Sequence, residues 1–226
     1  MATTPTTHLY VLLDRSGSME TMRVDVIGGF NHLLAEQRAN GADARLTLVQ
    51  FDSQDTQEVL LDAKRLHKAT PLTMRTFVPR GGTPLLDATG QLIHRASVRE
   101  QERLLLGKAP ELITVVTITD GEENQSSVYR REAIAALITA KQRQGWTFAF
   151  LGAGLDAYAE AGGMGYDPRS VQAFAPDGPG AAAAFTSVSA AVAGRRAKVR
   201  AQEDYDAADL FEGQKGAEAD KHGRSA

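Results

Sequence analysis

The stretch Leu112-Ile113-Thr114-Val115-Val116-Thr117-Ile118-Thr119-Asp120-Gly121 decides the fold. Eight residues, mostly apolar or β-branched, run on without polar alternation and then stop at Asp-Gly. Such a run suits a strand buried on both faces, the situation of a parallel sheet covered by helices on each side. A strand of that kind ending on an acid places the acid at the carboxyl edge of the sheet, where open α/β folds build their sites.

Outward from this strand, shorter runs of the same character recur. Leu9–Leu13, Arg45–Phe51, Trp146–Leu151 and Ser170–Phe174 read as strands, and Gln57–Leu61 pairs with the second of these as a hairpin across Asp52–Thr56. Helical patterns stand between them. Met22–Gln37 carries Val26, Phe30, Leu33 and Leu34 on one face and stops at Asn40-Gly41. Pro84–Val98 opens with a proline suited to a first helical turn. Val128–Gln144 and the Ala-rich Pro179–Arg200 complete the set. Strands alternating with helices predict an α/β, doubly wound, mostly parallel sheet of about six strands, with one antiparallel edge strand and helices on both faces.

Composition narrows the chemistry. The chain has 226 residues, 42% hydrophobic and 23% charged, enough for a core that needs no staples. The absence of cysteine excludes a disulfide scaffold, a thiolate metal site and a cysteine nucleophile. A net charge of −3 gives no electrostatic reason to expect nucleic acid or an anionic membrane as partner. The first apolar run ends at Asp14 and follows no basic region, so it reads as a strand rather than an export signal, and a cytoplasmic location is expected. The expected domain covers residues 1–200. Residues 201–226, with Glu203, Asp204, Asp206, Asp209, Glu212, Glu218 and Asp220 and few apolar side chains, read as an acidic, mostly disordered tail. A partner-docking motif built around Leu210-Phe211 is the sharper reading of the same segment.

Three loops carry the chemistry. Asp14, Ser16 and Ser18 form Asp-x-Ser-x-Ser after the first strand; Thr83 follows Gly81-Gly82 and precedes Pro84; Asp120 ends the most buried strand. Two carboxylates and three hydroxyls make an all-oxygen donor set, which suits Mg²⁺, then Mn²⁺ or Ca²⁺, and argues against zinc. Neutral hydroxyls leave such an ion short of ligands and positive, so it attracts an external anionic group.

Asp14-Arg15-Ser16-Gly17-Ser18-Met19, Gly81-Gly82-Thr83-Pro84-Leu85 and Thr119-Asp120-Gly121-Glu122-Glu123-Asn124 resemble, in that order, the three loops of a von Willebrand factor A (VWA) domain. The likeness spans roughly residues 8–175 and matches that family's metal-ion-dependent adhesion site. It implies a Rossmann-like sheet with Mg²⁺ at its top, bound by Asp14, Ser16, Ser18, Thr83 and Asp120. It also implies a protein partner whose Asp or Glu completes the coordination. Phe150–Phe174 is similar to the late part of compact, stand-alone bacterial members associated with tellurium resistance, stress, AAA+ ATPases, kinases or phosphatases. The resemblance points to a non-enzymatic interaction module. The alternatives are a metal-dependent phosphoryl hydrolase and a scaffold with a structural metal. Self-association is a further expectation, since the acidic tail offers carboxylates to a neighbour's site or to its own.

Other features have plainer readings. Asp87, one turn into a helix, suits the helix dipole. Glu122, Glu123 and Asn124 read as solvated loop residues rimming the site. Gly152-x-Gly154-x-x-Ala157 imitates a dinucleotide fingerprint but follows a late strand, so a tight strand-to-helix turn is expected. Arg195, Arg196, Lys198 and Arg200 suit a helix C-terminus. The five histidines, His8, His32, His67, His94 and His222, are dispersed.

Overall fold

A computed structural model describes residues 5–153, 156–213 and 215. Six strands form one sheet: β1 (Thr7–Asp14), β2 (Ala44–Phe51), β3 (Glu58–Arg65), β4 (Leu112–Thr119), β5 (Thr147–Ala153) and β6 (Val171–Phe174). Their order is β3-β2-β1-β4-β5-β6. Every pairing is parallel except β2 with β3, the hairpin edge. β4 is bounded where the sequence places it, and the ends of the other strands lie within four residues of their expected positions.

The strand order reverses between β1 and β4. In a doubly wound sheet that switch point opens a crevice at the carboxyl ends of the two strands. Alternation along β1 shows how both faces are filled: Leu9, Val11 and Leu13 face one core cluster, Tyr10 and Leu12 the other. Helices α1 (Arg23–Ala39) and α5 (Gly178–Ala201) cover the first face. Helices α2 (Leu85–Leu105), α3 (Arg131–Arg143) and the short α4 (Ala157–Gly163) cover the second. At Gly29 a Cβ would lie 2.3 Å from the Phe185 ring, so glycine is what lets α1 and α5 pack this closely.

Several boundaries correct the sequence reading. α2 runs seven residues beyond Val98, and a 3-10 turn over Gly17–Met22 precedes α1. α3 starts at Arg131 rather than Val128, because the backbone N–H groups of Ser127, Val128 and Tyr129 donate to the Asp87 carboxylate instead of entering a helix.

The domain boundary also moves. After α5, Gln202 takes a left-handed conformation (φ 59°) and the chain turns back. Leu210 and Phe211 are 2% exposed and join the α1–α5 core. Ser170 Oγ donates to the Ala208 carbonyl and accepts from the Leu210 N–H, and the Arg195 guanidinium lies 4.1 Å from the Tyr205 ring centre. Residues 201–213 are therefore packed onto the domain, not a disordered tail, and Leu210 and Phe211 are buried in the chain's own core rather than presented to a partner. Of the acids that suggested a tail, Glu203, Asp204, Asp206 and Glu212 are exposed, with Asp206 paired to Arg169 and Glu212 to Lys198. Residues 214 and 216–226, the rest of the expected tail, lie outside the described residues.

Candidate metal centre

β1 ends at Asp14, and the parallel register Leu13↔Ile118 brings it beside the end of β4. Its carboxylate is fully buried. One oxygen accepts the Ser16 backbone N–H at 2.7 Å and the other accepts the Thr119 hydroxyl at 2.5 Å. The Asp-x-Ser spacing thus folds the chain into a tight turn over the strand end. Ser16 Oγ and Ser18 Oγ stand 3.1 Å apart, and Ser18 Oγ donates to Asp120 Oδ1 at 2.8 Å. Asp14, Ser16, Ser18 and Asp120 therefore form one continuous hydrogen-bonded set.

Thr83 arrives on the loop before α2. Gly17 N–H donates to the Gly81 carbonyl at 3.0 Å, and Gly81 holds φ +66°, a conformation open to glycine. Thr83 N–H donates to Asn124 Oδ1 at 2.9 Å, and Asn124 N–H returns a bond to the Thr83 carbonyl at 3.1 Å. A Cβ on Gly121 would stand 3.1 Å from Thr83 Oγ1 and 3.9 Å from Ser18 Oγ, so both hydroxyls face the same small space above Gly121. All five residues singled out in the sequence meet at the switch-point crevice.

Burial raises the Asp14 carboxyl to about 7, against hydrogen bonds from Thr119 and Ser16, with Asp120 pushing the same way. Burial also raises Asp120 above the usual carboxylate range. Among the described residues no Lys, Arg or His pairs with either acid. Arg15, between Asp14 and Ser16, points elsewhere: its guanidinium pairs with Asp52 (2.6 Å) and with Glu58. Nor, among the described residues, do three or more His, Asp or Glu side chains gather to hold an ion. A cation here would rest on two carboxylates and neighbouring hydroxyls.

The loops are held by residues the sequence reading passed over. Asp52, fully buried at the end of β2, accepts from Arg15 Nε, from Arg80 Nε at 2.9 Å and from the Gln54 N–H at 2.6 Å. Burial alone would raise its carboxyl, but these donors hold it below the usual range. The available signal was positional, since Asp52 follows Phe51, the register partner of Asp14. Glu123 is no mere solvated rim residue either. It accepts from the Leu86 N–H at 2.8 Å and the Ser126 N–H at 2.6 Å, satisfying a free donor in the first turn of α2. Asp87 stays structural, as its clamp on residues 127–129 shows. Arg196 is likewise structural, bonded to the Gln37 and Gly41 carbonyls and to Asp43. At the dinucleotide-like turn, a Cβ on Gly152 would lie 2.6 Å from Ala157 Cβ, as close strand-to-helix packing requires; Gly154 lies outside the described residues.

No family model matches the sequence, and no curated protein matches it either. Solved structures do resemble its fold. The open form of the pilus adhesin SpaC from Lactobacillus rhamnosus GG superposes with a TM-score of 0.63 and 12% identity, over 84% of this chain but only 30% of the adhesin. The manganese-loaded TRAP protein of Plasmodium vivax gives 0.53 and 19%, covering 79% of this chain and 71% of that one. The VWA domain of SpRpn10 gives 0.52 and 13%, covering 78% and 92%. The chain has the fold of von Willebrand factor A domains. At these identities the likeness speaks for the fold alone.

Proposed function

We propose that this protein is a non-enzymatic, Mg²⁺-dependent protein-interaction module. The observation that carries the reading is the crevice itself: two carboxylates raised above their usual range and three hydroxyls, with no cationic side chain among the described residues paired to the carboxylates. Asp14, Ser16, Ser18, Thr83 and Asp120 would hold the ion, and their oxygen-only chemistry suits Mg²⁺ or Mn²⁺. Once bound, the ion supplies a Lewis-acidic position that draws in a carboxylate from outside. Ser18 is exposed, so the crevice is open to an Asp or Glu of a partner protein. That a protein of the same fold is known loaded with manganese supports a divalent ion here. The likeness of Phe150–Phe174 to stand-alone bacterial members supports a cytoplasmic, stress-associated setting, beside the ATPases, kinases or phosphatases of such systems.

Mn²⁺ provides the test, because its tumbling slows when a protein holds it, and the slowed ion enhances the relaxation of the water protons it still binds. Titrated into the metal-free protein, Mn²⁺ should give one saturable enhancement that Mg²⁺ competes away. Added acetate should lower the enhancement by displacing bound water. An enhancement unchanged in Asp120→Ala would sink the assignment. Mg²⁺-dependent hydrolysis of a phosphate ester, lost in Asp14→Ala, would replace it with an enzyme.

A further inference from the structure

Four of the five candidate ligands are aimed by hydrogen bonds to their own side-chain oxygens. Asp14 accepts from the Ser16 N–H and the Thr119 hydroxyl, Ser16 Oγ meets Ser18 Oγ, and Ser18 Oγ donates to Asp120. Thr83 is the exception. Among the described residues no hydrogen bond reaches its Oγ1, and its two bonds are both made by the backbone: N–H to Asn124 Oδ1 at 2.9 Å, and carbonyl from the Asn124 N–H at 3.1 Å. Asn124 thus grips Thr83 on both sides of its Cα. Pro84, next in the chain, disfavours the helical region for Thr83. On a backbone held in this way a β-branched side chain has few rotamers, so the direction of Oγ1 follows from the grip.

The loop that carries Asn124 is itself braced. Glu123 accepts from the Leu86 N–H, and Asp87 accepts from the N–H groups of Ser127 and Tyr129. Those ties reach α2 at Leu86 and Asp87, beyond Pro84, and none of them touches Thr83. Gly82 leaves the room that the grip needs. A Cβ there would stand 2.6 Å from Gln125 Cγ and 2.9 Å from Asn124 Oδ1, the oxygen that accepts from Thr83. Asn124 is exposed, so its amide has no part in the core.

Resting on the metal-dependent reading, we infer that Asn124 is a positioning residue of the metal centre: it holds Thr83 Oγ1 in place and thereby sets the size of ion the site accepts. Mg²⁺ demands near-ideal octahedral oxygen at about 2.0–2.1 Å, whereas Ca²⁺ takes six to eight oxygens at about 2.3–2.6 Å in flexible geometry. A threonine hydroxyl released from its grip costs the smaller ion a ligand at a fixed point. The larger ion tolerates a displaced oxygen or a water in its stead. Discrimination between the two ions therefore rests on the rigidity of Thr83, and that rigidity is supplied from the loop after β4.

The test is calorimetric titration of Mg²⁺ and, separately, Ca²⁺ into the metal-free full chain, as wild type, Asn124→Ala, Asn124→Asp and Gly82→Ala. Asn124→Ala should weaken Mg²⁺ about tenfold, the lower end for losing a group that orients a metal ligand. Ca²⁺ should weaken about twofold or less, so the ratio of the two affinities moves toward Ca²⁺. Gly82→Ala, which displaces the same oxygen from the other side, should move the ratio the same way. Asn124→Asp keeps the acceptor for the Thr83 N–H. Its added charge should tighten both ions alike and leave the ratio at the wild-type value. Melting of the metal-free Asn124 variants should match wild type. Wild-type binding of Mg²⁺ with a ratio unmoved in Asn124→Ala, or moved equally in Asn124→Asp, overturns the inference and leaves the metal centre standing. A matching loss of metal-free melting temperature in Asn124→Ala overturns it too, as the mark of a merely structural role. Failure of the wild type to bind either ion removes both readings.

Discussion

Asp52 has no metal-binding role in this account, yet it joins two of the three loops that do. Its carboxylate holds Arg15 of the first loop and Arg80 of the second, and it closes its own turn through Gln54. With both the acid and Arg15 buried, Asp52→Ala removes one of the guanidinium's two carboxylate partners and leaves only the half-exposed Glu58. Breaking a buried pair in this way costs about 3–5 kcal/mol, to be read by urea denaturation. Mg²⁺ affinity should fall at least tenfold, the usual effect of removing a group that orients metal ligands. Asp52→Asn, which keeps the acceptor oxygen, should lose less of both. The five candidate ligands were legible in the sequence because a hard-cation site needs oxygen donors at strand ends. Asp52, Asp87 and Glu123 were not, because their work is to accept backbone or arginine N–H groups from loops whose approach only the folded chain reveals.

The elements that positioned the site were those with the plainest sequence patterns. β4 is apolar throughout because both its faces are covered, so its limits could be read directly. α2 was cut short because Arg99, Glu100, Glu102 and Arg103 break its apolar period. In the structure Arg99 and Arg103 turn inward to Glu111, the residue before β4. Glu111 also meets His8 of β1 at 2.9 Å and Arg45 of β2 at 3.5 Å, tying three strands and a helix at the pole away from the metal. Burial alone would raise its carboxyl, but His8 and Arg99 outweigh that and hold it at about 2, below its ordinary 4.5. A carboxyl lowered by folding stabilises the protein fully above its unfolded value and loses that contribution as pH falls toward the folded one. Glu111→Gln should therefore cost about 2 kcal/mol at pH 7, in the range of a charged hydrogen bond. The gap in urea midpoint between it and wild type should narrow as pH falls from 4.5 toward 2. A gap that held constant over that range would contradict the assigned role. The strap over residues 201–213 escaped sequence reading for a related reason: two buried side chains, Leu210 and Phe211, fix a segment whose composition is otherwise acidic.

At the scale of the molecule, one sheet does two jobs. Its interior strands supply a core filled from both faces, and its switch point supplies a crevice to which β1 and β4 each bring a carboxylate. The order of strands and the placement of Asp14 and Asp120 are one fact seen twice, since a parallel sheet that reverses at β1/β4 must open there. Among the described residues no helix is long and apolar enough to cross a membrane.

The measurement that bears most directly on the central claim is calorimetric titration of Mg²⁺ into metal-free protein, with Asp14→Ala/Asp120→Ala alongside and melting followed in parallel. The account predicts one saturable site in the wild type and none in the double variant. Mg²⁺ at 100 times Kd should add about 2.7 kcal/mol to the wild type's stability and nothing to the variant's. Equal heats and equal stabilisation in both proteins, or neither in the wild type, would contradict it.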